Sequence, residues 1–264
     1  MSGGSRGIGL AIAKRLARDG ARVALLAKTA EPHPKLPGTV YTAAEEIEAE
    51  GGEALPIVGD VRDADQVGDA VSQAVERWGG VDIVINNASA INLSPMRGLE
   101  VKRFDLMQQI NARGTFVVTK ACLAHLLESD HAHVLTLSPP LSADPKWLKG
   151  NSAYTLSKMG MTMLTLGLAA DEGGIAANCL WPRTLIATAA VQNLLGGEAT
   201  MARARTPEIM GDAAHAIVSR DPPEATGRCF IDDEALAEAG ITDLAGYSDP
   251  EADLALDLFV DDWP

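Results

Sequence analysis

The chain has 264 residues and is 47% hydrophobic, enough for one large α/β unit or two small ones with a full core. Its net charge of −14 is unevenly spread: all 22 Lys and Arg lie at or before Arg228, and eleven of the 36 Asp and Glu follow it. A nearly neutral body with an acidic end offers no basic face for nucleic acid. No apolar run reaches the ~18–20 residues of a membrane span, and the first twenty residues lack a secretory pattern. Cys122, Cys179 and Cys229 are far apart and odd in number. They have neither metal-ligand spacing nor a disulfide framework, so no metal is expected and a reduced, cytoplasmic protein is the simplest reading.

In chain order, glycines at 3, 4, 7 and 9 precede a helical pattern from Leu10 to Asp19. Residues 22–27 and 53–58 read as strands. Asp63 reads as the N-cap of a helix from Ala64 to Trp78. Residues 81–86 form a third strand, 102–128 one long helix, 133–138 a fourth strand. A helix carrying Tyr154 follows, then a strand over 176–181 ended by Pro182. Thr206 caps a later helix with Pro207 at its first position, and 228–231 is a last short strand. The Pro-rich stretch 31–38 is an insertion, and no linker divides the chain, so residues 1–264 are expected to be a single unit with an acidic segment over 229–264. The run 254–260 is apolar enough to pack onto something.

Such alternation predicts an α/β fold with a doubly wound, Rossmann-like parallel sheet. The glycine loop should hang from a first, central strand, yet Met1 leaves no room for one. Losing it removes several buried side chains at roughly 1.5–3 kcal/mol each. The expectation is therefore a truncated first strand, with a gap, a substitute strand or direct closure between 22–27 and 81–86, and either a natural start further upstream or a damaged chain.

Two features carry chemistry. Gly3-Gly4-Ser5-Arg6-Gly7-Ile8-Gly9 lets backbone approach a pyrophosphate at a helix N-terminus. Without a Lys-Ser/Thr after the glycines it is not an NTPase loop. Tyr154 and Lys158 are i and i+4 on one helix, which sets a phenol beside an ammonium. A nearby cation lowers a phenol pKa toward neutrality, as a general acid–base requires. Lys28 follows the strand over 22–27, at the end where an NAD enzyme would carry an acid, and Arg6 sits in the loop, so NADP(H) is the expected cofactor. Trp147 and its flanking Lys146 and Lys149 either border the substrate mouth, suiting an apolar substrate with an anionic portion, or form a solvated loop with Trp147 packed locally.

Together, Gly3-x3-Gly7-x-Gly9, Asn86-Asn87-Ala88-Ser89, Asn111 and Tyr154-x3-Lys158 resemble the short-chain dehydrogenase/reductase family, over residues 3–188 and in order. Residues 27–36 and Leu180-Trp181-Pro182-Arg183-Thr184 resemble its hydroxysteroid dehydrogenase-like branch, some members of which add a sterol-carrier domain that the residues up to Pro264 do not include. The resemblance implies an NADP(H)-dependent oxidoreductase of alcohols and carbonyls, on a small, lipid-like substrate, acting as a homo-oligomer. It assigns Tyr154 as the acid or base, Lys158 as its partner and ribose ligand, and Asn111 as holder of a relay water. It puts Asp60 at the adenine, Asn86 in the cofactor cleft and Thr188 near the carboxamide. The family's serine position is Leu141 here, leaving Ser138 as candidate and Ser142 as runner-up. Arg183, where the family has Gly, reads either as a holder of a carboxylate or phosphate or as a structural ion pair. The rival reading is a dinucleotide-binding scaffold or sensor with little turnover.

Overall fold

A computed structural model describes residues 1–33, 36–194, 197–222 and 225–261. Residues 34 and 35 of the Pro-rich insertion lie outside them. Helix α1 (Gly7–Ala17) precedes strand β1 (Arg22–Ala27). Helix α2 (Val40–Ala49), opened by a reciprocal Thr39–Thr42 capping box, leads to β2 (Glu53–Val58). Helix α3 (Ala64–Trp78) starts where Asp63 accepts from the Asp65 and Gln66 amides, and stops at Gly79 with φ 92°. Then come β3 (Ile83–Asn86), α4 (Val101–Gln108), α5 (Gly114–Leu126) and β4 (His133–Leu137). Short α6 (Pro145–Leu148) precedes α7 (Ser152–Asp171), β5 (Ala176–Trp181), α8 (Ala189–Leu194) and α9 (Glu198–Met201). Helix α10 (Glu208–Val218), β6 (Cys229–Ile231) and α11 (Asp232–Glu238) complete the body.

Two expectations shift. The long helix is split by a π turn over Gln109–Arg113 between α4 and α5. Pro207, not Thr206, is the N-cap of α10.

The sheet is parallel throughout, in the order β2-β1, then β3-β4-β5-β6. Ile12, Ile209, Met210 and Ile217 cover one face against Ile85, Leu135 and Leu180. Val67, Val118, Cys122 and Leu126 cover the other against Val84 and Val134. The fully buried pattern of β4 and β5 follows from these two helix layers.

Of the alternatives, the structure shows the gap: β1 and β3 are not paired, and among the described residues only Met1, Ser2 and Gly3 bridge them. The Ser2 amide donates to the Ile85 carbonyl (3.0 Å) and the Gly3 amide to Leu26 (2.9 Å). Leu26 donates back to Met1 (3.0 Å), and the Met1 ammonium donates to the Ala24 carbonyl (2.7 Å). Below that bridge lies a cleft of about 710 Å³ lined by Val23, Ala24, Val71, Ile83 and Val84 among others. Burial lowers the pKa of the Met1 ammonium.

An extension of about six aliphatic, β-branched residues ahead of Met1 should therefore seat as a strand. At ~1.5–3 kcal/mol per newly buried side chain, the melting temperature is expected to rise by roughly 10 °C. Calorimetry of the two lengths measures it, and equal midpoints would contradict this account of the cleft.

Candidate active site

The C-terminal ends of the strands carry the site, as a parallel sheet dictates. Residues 3–9 turn from the bridge into α1, with Gly3 at φ 70° and Gly7 at φ 54°. A Cβ on Gly9 would meet the Gly3 carbonyl and Asn87 Nδ2 at 2.5 Å, so only glycine permits this approach. No acid occupies the first turn of α1 and no side chain caps it. Its amides open onto a cleft of about 890 Å³ lined by Gly3, Ser5, Arg6, Gly7, Ile8, Gly9, Lys28, Asp60, Tyr154, Lys158 and Thr188 among others. That donor set fits a dinucleotide phosphate.

Two expected contacts fall elsewhere. Gly4 points inward, where a Cβ would run into the Leu25 side chain. Asn86 is 1% exposed and its amide donates to Thr119 Oγ1 at 2.9 Å. The next residue, Asn87, lines the cleft and donates to the Gly3 carbonyl at 2.7 Å, fixing the loop. Alternation along a strand puts successive side chains on opposite faces, and the sequence reading chose the wrong one of the pair.

At the end of β2, Asp60 is clamped between two cations. Arg62 Nη2 donates to Asp60 Oδ2 at 2.6 Å, and Lys28 Nζ lies 3.0 Å from the same oxygen. Hydrogen bonding to Arg62 holds the Asp60 carboxyl far below the ordinary carboxylate range, against a smaller opposing effect of burial. Arg62, unremarked in the sequence, thus stands with Lys28. Arg6 donates to the Pro37 and Gly38 carbonyls at 3.0 Å, which ties the loop to the insertion.

Tyr154 and Lys158 share a face of α7, yet they are not paired. Lys158 Nζ donates to the Leu137 carbonyl at 2.6 Å and sits 5.1 Å above the Trp181 ring. Burial lowers its pKa to about 7, partly offset by Asp257. Burial pushes the Tyr154 phenol up, reinforced by the charge of Asp257. The phenol thus moves opposite to the downward shift expected from Lys158: its 5% exposed ring is desolvated, and the charge acting on it is that of Asp257.

Asn111 lies in the π turn, a feature common at functional positions. Its Oδ1 accepts from the Ala90 amide (2.7 Å). Its Nδ2 donates to the Ala90 carbonyl (2.9 Å) and to Ser157 Oγ (2.8 Å). The side chain therefore fixes the loop after β3 and has little capacity left for a relay water. Ser138 is 1% exposed, is bonded to Thr162 Oγ1 at 2.9 Å and does not line the cleft. Ser142 Oγ accepts from the Asp144 amide. Among the described residues neither serine hydrogen-bonds Tyr154. Arg183 turns away from the cleft onto Asp233 (2.7 Å) and Glu234 (2.5 Å), so the ion-pair reading holds.

Trp147 does not line the cleft; it joins the apolar cluster that holds Tyr154 through a partner not foreseen. Its ring lies 5.7 Å from Phe259, which also meets Trp181 at 5.8 Å and stacks on Tyr154 at 6.3 Å. Lys146 pairs with Asp144 and Asp261. The apolar character of 254–260 was the visible signal; its destination was not.

The sequence profile described as short chain dehydrogenase matches residues 1–198. Hydroxysteroid dehydrogenase-like protein 2 of Danio rerio is 52% identical over 266 aligned residues, covering 100% of this chain and 64% of that protein. A crystal structure of a short chain dehydrogenase from Mycobacterium thermoresistibile shares 56% identity and a TM-score of 0.93, covering 98% of this chain and 93% of the other. A blue fluorescent protein from a metagenomic library, solved in complex with NADPH, shares 30% identity and a TM-score of 0.75, covering 89% of this chain and 96% of the other. The glycine loop, the Tyr154–Lys158 face and these likenesses together make the chain a member of the short-chain dehydrogenase/reductase family, in its hydroxysteroid dehydrogenase-like branch.

Proposed function

We propose that this chain is an NADP(H)-dependent oxidoreductase that interconverts an alcohol and a carbonyl on an apolar, lipid-like substrate. One observation carries it: Tyr154 and Lys158 line the same cleft as the glycine loop. When bound, the nicotinamide group supplies or accepts the hydride. The amides at the start of α1 and residues Gly3 to Gly9 would hold its pyrophosphate, and Thr188, beside Gly7, its carboxamide end. Lys28, Arg62 and Arg6 are the cations available to a 2′-phosphate. The NADPH seen in the 30% identical relative supports that choice.

In the reducing direction the Tyr154 hydroxyl donates its proton to the developing alkoxide. Desolvation keeps the phenol protonated, as a donor must be. Lys158, lowered to about 7, changes charge near neutral pH and holds the ribose hydroxyls. Asn111 positions the loop through Ala90. The apolar wall of Ile91, Leu93, Leu99, Met107, Trp147 and Met159 around Tyr154 supports an apolar substrate. Phe116, Leu156 and Met163, exposed at 51, 57 and 61% on α5 and α7, support self-association. A scaffold or sensor is the second reading, favoured by the commitment of Ser138 to Thr162. Cofactor titration with and without a carbonyl panel separates the two. Binding without hydride transfer would support the scaffold.

Two outcomes are expected. Lys28→Asp erodes or inverts a preference of roughly tenfold for NADPH over NADH, about 1.4 kcal/mol of differential binding. An unchanged ratio of dissociation constants would refute the cofactor assignment. Tyr154→Phe keeps the ring, leaves NADPH affinity nearly intact and lowers turnover by roughly 10² or more. Lys158→Ala impairs binding and turnover together. Normal turnover by Tyr154→Phe with a true substrate would refute the mechanism.

A further inference from the structure

The strap that ends the described chain lies across the site. Backbone bonds run from Leu185 to the Ala255 carbonyl (2.9 Å), from Asp257 to Arg183 (2.9 Å) and from Ala255 to Arg203 (2.9 Å). Thr184 and Leu256 form an antiparallel bridge. The strap is thus laid along the segment that leaves β5. Beyond it the Trp181 indole donates to the Leu258 carbonyl at 2.7 Å.

Phe259 then enters the apolar cluster and stacks on Tyr154, leaving Phe259 and Tyr154 at 6 and 5% exposure. Among the described residues Phe259 is the one non-glycine with positive φ, at 72°. A large side chain tolerates that backbone only where its surroundings over-determine it, and such residues gather at clamps and switches. Three rings grip it: Trp147, Trp181 and Tyr154. Val260 is buried beside it, and the Arg203–Asp253 and Lys146–Asp261 ion pairs at the strap's two ends sit at the surface, where such pairs contribute little.

We propose that residues 254–260 are a gate on the substrate side of this active site, with Phe259 as the ring that a substrate displaces from Tyr154. The proposal rests on the oxidoreductase reading for its substrate, and adds that the incoming molecule presents an apolar face that replaces a phenyl ring between Trp147 and Trp181. Asp257 and Leu258 of the strap line the glycine-loop cleft but Phe259 does not, so the ring itself is no wall of the cofactor's cleft. A closed majority state lowers apparent substrate affinity by the fraction of molecules that are open.

The test uses 2-decanone as an apolar ketone probe on the NADPH-saturated chain. Amide exchange is read at Leu185 and Asp257, whose N–H groups are bonded across the strap. At least tenfold faster exchange with the ketone is expected. Phe259→Ala should exchange faster without ketone and lower KM for 2-decanone about fivefold, with NADPH affinity within twofold of wild type. Phe259→Leu, which refills the space, should fall between the two and serves if the alanine variant folds poorly. Unchanged exchange at both amides with ketone present overturns the gate. So does a raised KM in Phe259→Ala, the sign of a lost pocket wall. NADPH oxidation is scored separately: ketone-accelerated exchange without any hydride transfer counts against the oxidoreductase reading and for the gate.

Discussion

The site is organised around one buried amine. Lys158 is 3% exposed on α7, and an ammonium cannot be buried without partners at tolerable energy. Its partners here are the Leu137 carbonyl, the Trp181 face and the Met161 sulfur. Each comes from an element whose position the sheet fixes: Leu137 from the end of β4, Trp181 from the end of β5, Met161 from the next turn of α7. Registering β4 against β5, with Leu137 opposite Leu180, therefore also sets the polarity of the catalytic face. A lysine so held sits near the point of losing its proton, and Tyr154 one turn earlier keeps its own.

The same sheet explains where the cofactor end lies and how it is supported. The glycine loop leaves from Met1–Gly3, which bonds to β1 on one side and β3 on the other. Asn87 adds a side-chain tie to the Gly3 carbonyl. The loop is thus well held at the top of the sheet, while the cleft beneath it leaves β1 and β3 without a shared neighbour. Stability and site geometry are separable here: the upper bridge positions chemistry, and the lower cleft forfeits apolar burial.

Much of this was legible from the residues. Strands β1, β2 and β5 and helix α3 end where their patterns and caps say they should, because Asp63, Gly79 and Pro182 act locally. What escaped was set by distant packing. A choice between Asn86 and Asn87 is a choice of sheet face, decided by neighbours rather than by the pair itself. Ser138 was placed by adjacency to a strand end, but Thr162 of α7 draws it inward. The Tyr154 pKa was argued from Lys158 alone, when the covering ring of Phe259 comes from more than a hundred residues away. Arg183 answers to acids on α11, some fifty positions downstream.

The desolvated Lys158 is the claim on which the cleft, the Tyr154 face and the covering strap converge. It can be observed directly by following the ε-methylene resonance of Lys158 in protein carrying 13C-labelled lysine, assigned with Lys158→Arg, through a pH titration without cofactor. The midpoint expected for Lys158 is about 7. A Lys158 midpoint near the ~10.4 of a free lysine side chain would mean a solvated amine and an open site, and would contradict the arrangement described.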